Sequence, residues 1–169
     1  MRVSRITIST AWAAALNLAV TVVLLAVSLE PAKSGGQTAG FLVVTALMTS
    51  LGRRRLRQWL ARRDAALGGA PRLPDDARPE SPLRWLLRQL AGGTLDATLY
   101  LAARYLLFLM IGLSLGLDAA GPIVAGSFAA PALLNLVACL RFALVERRLG
   151  KRVYEEWRPP EQPVAVYVT

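Results

Sequence analysis

The chain has 169 residues, 54% hydrophobic and 18% charged, with 20 Lys and Arg against 11 Asp and Glu for a formal net charge of +9. Its mean hydropathy is +0.42, too apolar for an ordinary soluble domain, and the basic excess points to a membrane or to nucleic acid. One Cys and no His exclude an intrachain disulfide, a His-ligated haem, zinc sites built on His or several Cys, and every His-dependent triad.

A hydrocarbon core about 30 Å thick takes roughly 20 helical residues to cross, and four runs compete for that role. Residues 6–29 carry no charge over 24 residues. Residues 37–51 are a shorter run of 15, five of them Thr, Ser or Gln, and they lead directly into Gly52-Arg53-Arg54-Arg55. Residues 95–117 carry Asp96 at the start and Arg104 inside, and residues 122–144 are interrupted by Arg141 alone. The pattern predicts an all-α, polytopic membrane protein with four transmembrane helices in two hairpins and short cytoplasmic amphipathic helices between the second and third. It divides into a first hairpin (1–52), a cytoplasmic basic interfacial segment (53–94), a second hairpin (95–145) and a cytoplasmic tail (146–169).

Basic residues near spans are retained in the cytoplasm. Placing both termini inside puts 17 of the 20 Lys and Arg there, leaving Lys33 outside and Arg104 and Arg141 within spans. Trp12, Trp59, Trp85 and Trp157 then fall near the inner interface, where amphipathic rings are favoured. This predicts a multi-pass protein of a bacterial-type cytoplasmic membrane. A competing reading makes residues 6–29 a signal peptide with cleavage after Ala26-Val27-Ser28, although the run exceeds the ~7 to 15 apolar residues typical of such segments.

Residues 53–94 split into two basic helices and a linker. Leu56, Trp59, Leu60 and Leu67 recur at helical spacing among arginines; a Pro-, Gly- and acid-containing linker follows. The second helix has Ser81 as N-cap, Pro82 at its first position, and Leu83, Leu86, Leu87 and Leu90 on one stripe before Gly92-Gly93. Arg53, Arg54, Arg55, Arg57, Trp59, Arg62, Arg63, Arg84, Trp85 and Arg88 form the expected surface for anionic inner-leaflet lipid or a partner. No aromatic-basic platform accompanies them, so nucleic acid is not an expected partner.

An Arg inside a span costs about 2.5 to 3.5 kcal/mol on insertion scales and needs a partner or water. Asp96 and Tyr100 precede Arg104 at steps of four, on one helix face. If the second hairpin turns at residues 118–121, Arg104 stands opposite Asn135 and Asp96 close to Arg141. These five residues make a candidate intramembrane cluster, either a polar pocket or anion path, or an interhelical brace that fixes register. Gly112 with Gly116, and Gly126 with Ala130, are spaced for close helix packing, and Pro131 is positioned to kink the last span.

Gly112-Leu113-Ser114-Leu115-Gly116 matches the nucleophile elbow of serine hydrolases only in letters, because it lies in an apolar helix of a chain without His. Cys139 reads as a small packing residue. The end of the chain is a Pro-rich stretch and then a β-prone Val-Ala-Val-Tyr-Val, read as a disordered tail or a strand for a cytoplasmic partner. A shift of 88 residues aligns the two hairpins, pairing Glu30 with Asp118, Arg53 with Arg141 and Arg63 with Lys151, a possible duplication. The functional expectation is a non-enzymatic accessory, assembly or scaffold subunit of a larger membrane complex, with no cofactor or metal, contacting anionic lipid and other subunits or copies of itself. The alternative is a small oligomeric transporter or channel using Arg104 in an anion or solute pathway.

Overall fold

A computed structural model describes residues 2–28, 34–81, 84, 110, 117–156 and 164–169. Three long helices dominate: α1 (Ile6–Ser28), α2 (Ser34–Leu67) and α3 (Leu117–Leu149). Four short strands accompany them: β1 (Arg2–Arg5), β2 (Arg78–Pro79), β3 (Val153–Glu156) and β4 (Ala165–Val168).

α3 is the central helix, and α1 and α2 pack on it rather than on each other. α2 and α3 run in parallel, with Gly40 facing Ile123, Gly52 facing Leu134 and Trp59 meeting Phe142. α1 runs the other way, so that Ser28 faces Gly121 at the far end and Ile6 joins Phe142 at the opposite end. Small side chains make this closeness possible: Ala125, Ala129, Ala130, Ala132 and Ala138 of α3 are all buried. A Cβ on Gly126 would meet the Phe41 carbonyl oxygen at 2.7 Å, so α2 and α3 touch nearly backbone to backbone there. Thr45 caps this approach, its Oγ1 donating to the Phe41 carbonyl at 2.7 Å and lying 3.4 Å from that of Gly126.

The strands form one sheet in the order β2-β1-β3-β4, with β1 and β2 parallel and the other pairs antiparallel. Val3 opposes Glu156, Arg5 opposes Tyr154, and Val153 opposes Val168. The connection after α2 borders both edges. Arg72 bridges Val168 beyond β4, Val168 N–H donates to the Pro71 carbonyl at 3.1 Å, and Glu80 N–H donates to that of Val3 at 2.8 Å beyond β1. Covered edges of this kind protect short strands from pairing with other chains. Beneath the sheet, Ile6, Leu60, Phe142, Val153 and Val166 form a buried core, flanked by Leu56, Trp59 and Val145. α3 reaches the sheet through a left-handed glycine, Gly150 at φ +63, with Lys151 N–H donating to the Glu146 carbonyl at 3.3 Å, the closing bond of a Schellman turn.

Among the described residues, two helices are long and apolar enough to cross a membrane: Ile6–Ser28, and Ala120–Leu149 of α3. Only 11% of the most apolar window of the first is buried, and Leu18, Val22, Val23 and Val27 are exposed, unlike a helix at the centre of a soluble core.

The structure amends the sequence reading in three respects. The protein is mostly helical, but the all-α expectation omits the sheet. Its strands come from segments read as topology-setting arginines, linker and tail, and the tail pairs within the chain instead of extending to a partner. Second, residues 52–67 are not a separate interfacial helix, because α2 continues unbroken through Gly52. A helical glycine costs about 1 kcal/mol relative to Ala, but a side chain here would collide with Leu134. Third, α1 and α2 do not pair as a hairpin. At the expected N-cap, Arg84 N–H donates to Ser81 Oγ at 3.4 Å, and the rest of the second basic helix lies outside the described residues. The expected span at 95–117 falls outside the described residues except at Met110 and Leu117. Under the 88-residue shift α2 and α3 are equivalents, and they lie parallel, yet α2 is still helical over 65–67 where its counterpart has entered β3.

Candidate functional site

The polar and charged groups gather where α2, α3 and the sheet meet. Helical periodicity places Gly52, Arg55, Leu56 and Trp59 on one face of α2, opposite Pro131, Leu134, Asn135 and Ala138 of α3, and a groove of about 280 Å³ lies between them. Its walls are mostly apolar. Arg55 is exposed and Asn135 half-buried, and neither side chain has a hydrogen-bond or ion-pair partner among the described residues. The groove therefore offers a guanidinium and an amide at the edge of an apolar trough, suited to an amphiphile or to another helix carrying a polar residue.

Trp59 divides this groove from the core beneath the sheet. Its ring meets Phe142 edge to face at 5.6 Å between centroids, and the Arg63 guanidinium stacks 3.7 Å from its centre. Arg63 is buried and donates twice to Glu155 on β3, once from Nε at 3.1 Å. Burial lowers the Arg63 pKa and pushes the Glu155 carboxyl above its usual range, against the pull of the guanidinium. The pair thus ties α2 to the sheet at the expense of solvation.

Two further pairs join the elements. Arg5 on β1 donates to Glu146 on α3 from Nε at 3.0 Å and Nη2 at 2.7 Å, and this hydrogen bonding raises the Arg5 pKa. Arg141 on α3 pairs with Asp64 on α2, both substantially exposed.

These positions reorganise the sequence-derived sets. Asn135, from the polar intramembrane set, comes together with Arg55 and Trp59, from the lipid or partner set. Arg141 lies beside the sheet-end core and pairs with Asp64, while its expected neighbour Asp96 lies outside the described residues. Arg63, and partly Trp59, face inward, whereas Arg53, Arg54, Arg55, Arg57, Arg62 and Arg84 are exposed. Gly126 serves the contact with α2, and Ala130 is buried on α3. Asp96, Tyr100, Arg104, Trp85, Arg88, Gly112 and Gly116 lie outside the described residues. Sequence reasoning missed Arg5, Asp64, Glu146 and Glu155. The available signal was that Asp64 and Glu146 are isolated acids inside strongly basic stretches, where a carboxylate has a cation to meet. Comparison with protein families, curated proteins and solved structures gives no match to this chain.

Proposed function

We propose that the chain is a non-enzymatic accessory or scaffold subunit of a larger membrane complex, spanning the cytoplasmic membrane four times with both termini inside. The observation that carries this reading is the change of character along α2. One continuous helix passes from an outward apolar face at Leu42, Val43, Leu47 and Leu51 to exposed arginines from Arg53 onward. Such a change of character suits a helix that leaves the membrane on its basic side, the side that carries the sheet. The four-span count is supported by the apolar run of residues 95–117 in the sequence, beside the long helices α1, α2 and α3. Retention of the first segment is supported by β1, since cleavage near Ser28 would remove a central strand of the sheet.

The exposed apolar sides of α2 and α3, the latter including Leu133, Leu136, Val137 and Leu140, supply packing surface for other subunits. Native mass spectrometry of the gently extracted protein tests this: a subunit appears in a defined mass with other membrane proteins. A homo-oligomer that moves solute into liposomes would replace this reading with the transporter alternative, for which Asn135 beside Arg55, without a partner among the described residues, is the supporting observation.

A further inference from the structure

A second cavity, of about 360 Å³, opens at the sheet end between the start of α1 and the end of α3. Arg5, Glu146, Arg147, Gly150, Lys151 and Arg152 line it. Glu146 is already committed: it takes both donors of Arg5 and accepts Val153 N–H at 2.9 Å. Arg5 and Glu146 therefore cancel, leaving three further cations on the lining. The side chains of Arg147, Lys151 and Arg152 are exposed and have no ion pair among the described residues. The turn at Gly150, with its positive φ, brings Lys151 and Arg152 to the same cavity that Arg147 lines from the helix.

Depth adds a second constraint. The cavity lies at the start of α1 and the end of α3, the two helices long and apolar enough to cross a membrane, and in the proposed topology phospholipid headgroups meet them at that level. Basic pockets between membrane helices on the cytoplasmic side suit anionic headgroups. Guanidinium groups offer paired donors to phosphate oxygens, and a Lys adds a mobile point charge.

We propose that this cavity is a discrete binding site for the phosphate of an anionic phospholipid, held by Arg147, Lys151 and Arg152 and backed by the Arg5–Glu146 pair. The proposal rests on the reading above that the sheet end faces the inner leaflet. It differs from diffuse attraction by the exposed arginines of α2, because it requires three cations around one cavity.

The full chain is extracted from nanodiscs of phosphatidylcholine containing phosphatidylglycerol, and retained lipid is counted by native mass spectrometry. Arg147→Gln/Lys151→Gln/Arg152→Gln is compared with Arg53→Gln/Arg54→Gln/Arg57→Gln, which removes the same charge. The cavity variant is expected to lose phosphatidylglycerol about tenfold or more and the α2 variant less than about threefold, while Arg147→Lys/Arg152→Lys keeps most of it. If the cavity triple melts early, Lys151→Gln/Arg152→Gln, which leaves α3 intact, shows the loss at several-fold. Equal loss from the two triple variants, or no retained phosphatidylglycerol in the native protein, overturns the site. Inorganic phosphate that displaces the lipid and binds in phosphatidylcholine alone would instead identify a free-phosphate site. Partners appear in the same spectra: lipid lost with partners kept overturns the site alone, whereas lipid kept without partners overturns the subunit reading alone.

Discussion

The two ends of the helix bundle hold together by different means. Toward the far end, buried positions are mostly Ala, Gly, Ser and Thr, including Ala120, Ala125, Ala129, Ser127 and Thr21, while the large apolar side chains of α1 point outward. At the sheet end the order is reversed. Four of the five largest fully buried side chains, Phe142, Ile6, Val3 and Val153, lie there, with ion pairs around them. In lipid, burying a large apolar side chain gains little, so helices associate through close contact of small residues. In water, the same burial contributes about 1.5 to 3 kcal/mol for a large side chain. In the proposed topology the far end therefore lies in lipid and the sheet end on the water side.

Substitutions that respect one regime and violate the other sharpen this contrast. Phe142→Ala has the largest expected effect, a loss of about 3 to 5 kcal/mol, read as an early melt in detergent followed by fluorescence of the neighbouring Trp59. If Phe142→Ala melts like the native protein, the sheet end has no soluble-type core. Gly126→Val comes next. The added carbons meet the Phe41 carbonyl and Thr45, and prying α2 from α3 costs about 1 to 3 kcal/mol. A native melting temperature in this variant would mean that the helices do not approach as described.

Arg141→Gln should matter less, within about 1 kcal/mol, because the Arg141–Asp64 pair is exposed to water and counter-ions; a larger shift would place Arg141 in a drier setting. The smallest effect is a pH dependence. Glu155 has its folded-state pKa raised, so its contribution is fully present below the ordinary carboxylate range and is lost as pH rises through the raised value. The melting-temperature difference between the native protein and Glu155→Gln should therefore be greater in mild acid than at neutral pH. A smaller difference in acid would reverse the assignment.

The helices were legible in the sequence because their signal is local: the apolar runs at 6–29, 37–51 and 122–144 fall in α1, α2 and α3. The sheet was not. Each strand has two to four residues, too few for alternation to show, and β1 pairs with segments distant in the chain on both sides. Arg5 and Glu146 are 141 residues apart and Arg63 and Glu155 are 92 apart, and no spacing rule links such positions. Arg63 also shows how a topology signal hides a structural role. It counted correctly toward the basic stretch, yet stacking on Trp59 and pairing with Glu155 turn it inward, which a composition count cannot separate from its exposed neighbour Arg62. The continuity of α2 was missed because Gly52 before three arginines reads as a stop, and only the approach of Leu134 explains a glycine inside the helix.

The central claim is that the far end and the sheet end lie on opposite sides of a membrane, with the sheet end inside. Substituted-cysteine labelling tests it directly. In a Cys139→Ser background, Gly35→Cys marks the far end and Asp75→Cys the sheet end, both at exposed positions. A membrane-impermeant thiol reagent applied to intact cells should label Gly35→Cys at once and Asp75→Cys only after permeabilisation. Labelling of both positions from one side, or of Asp75→Cys alone in intact cells, would contradict the account.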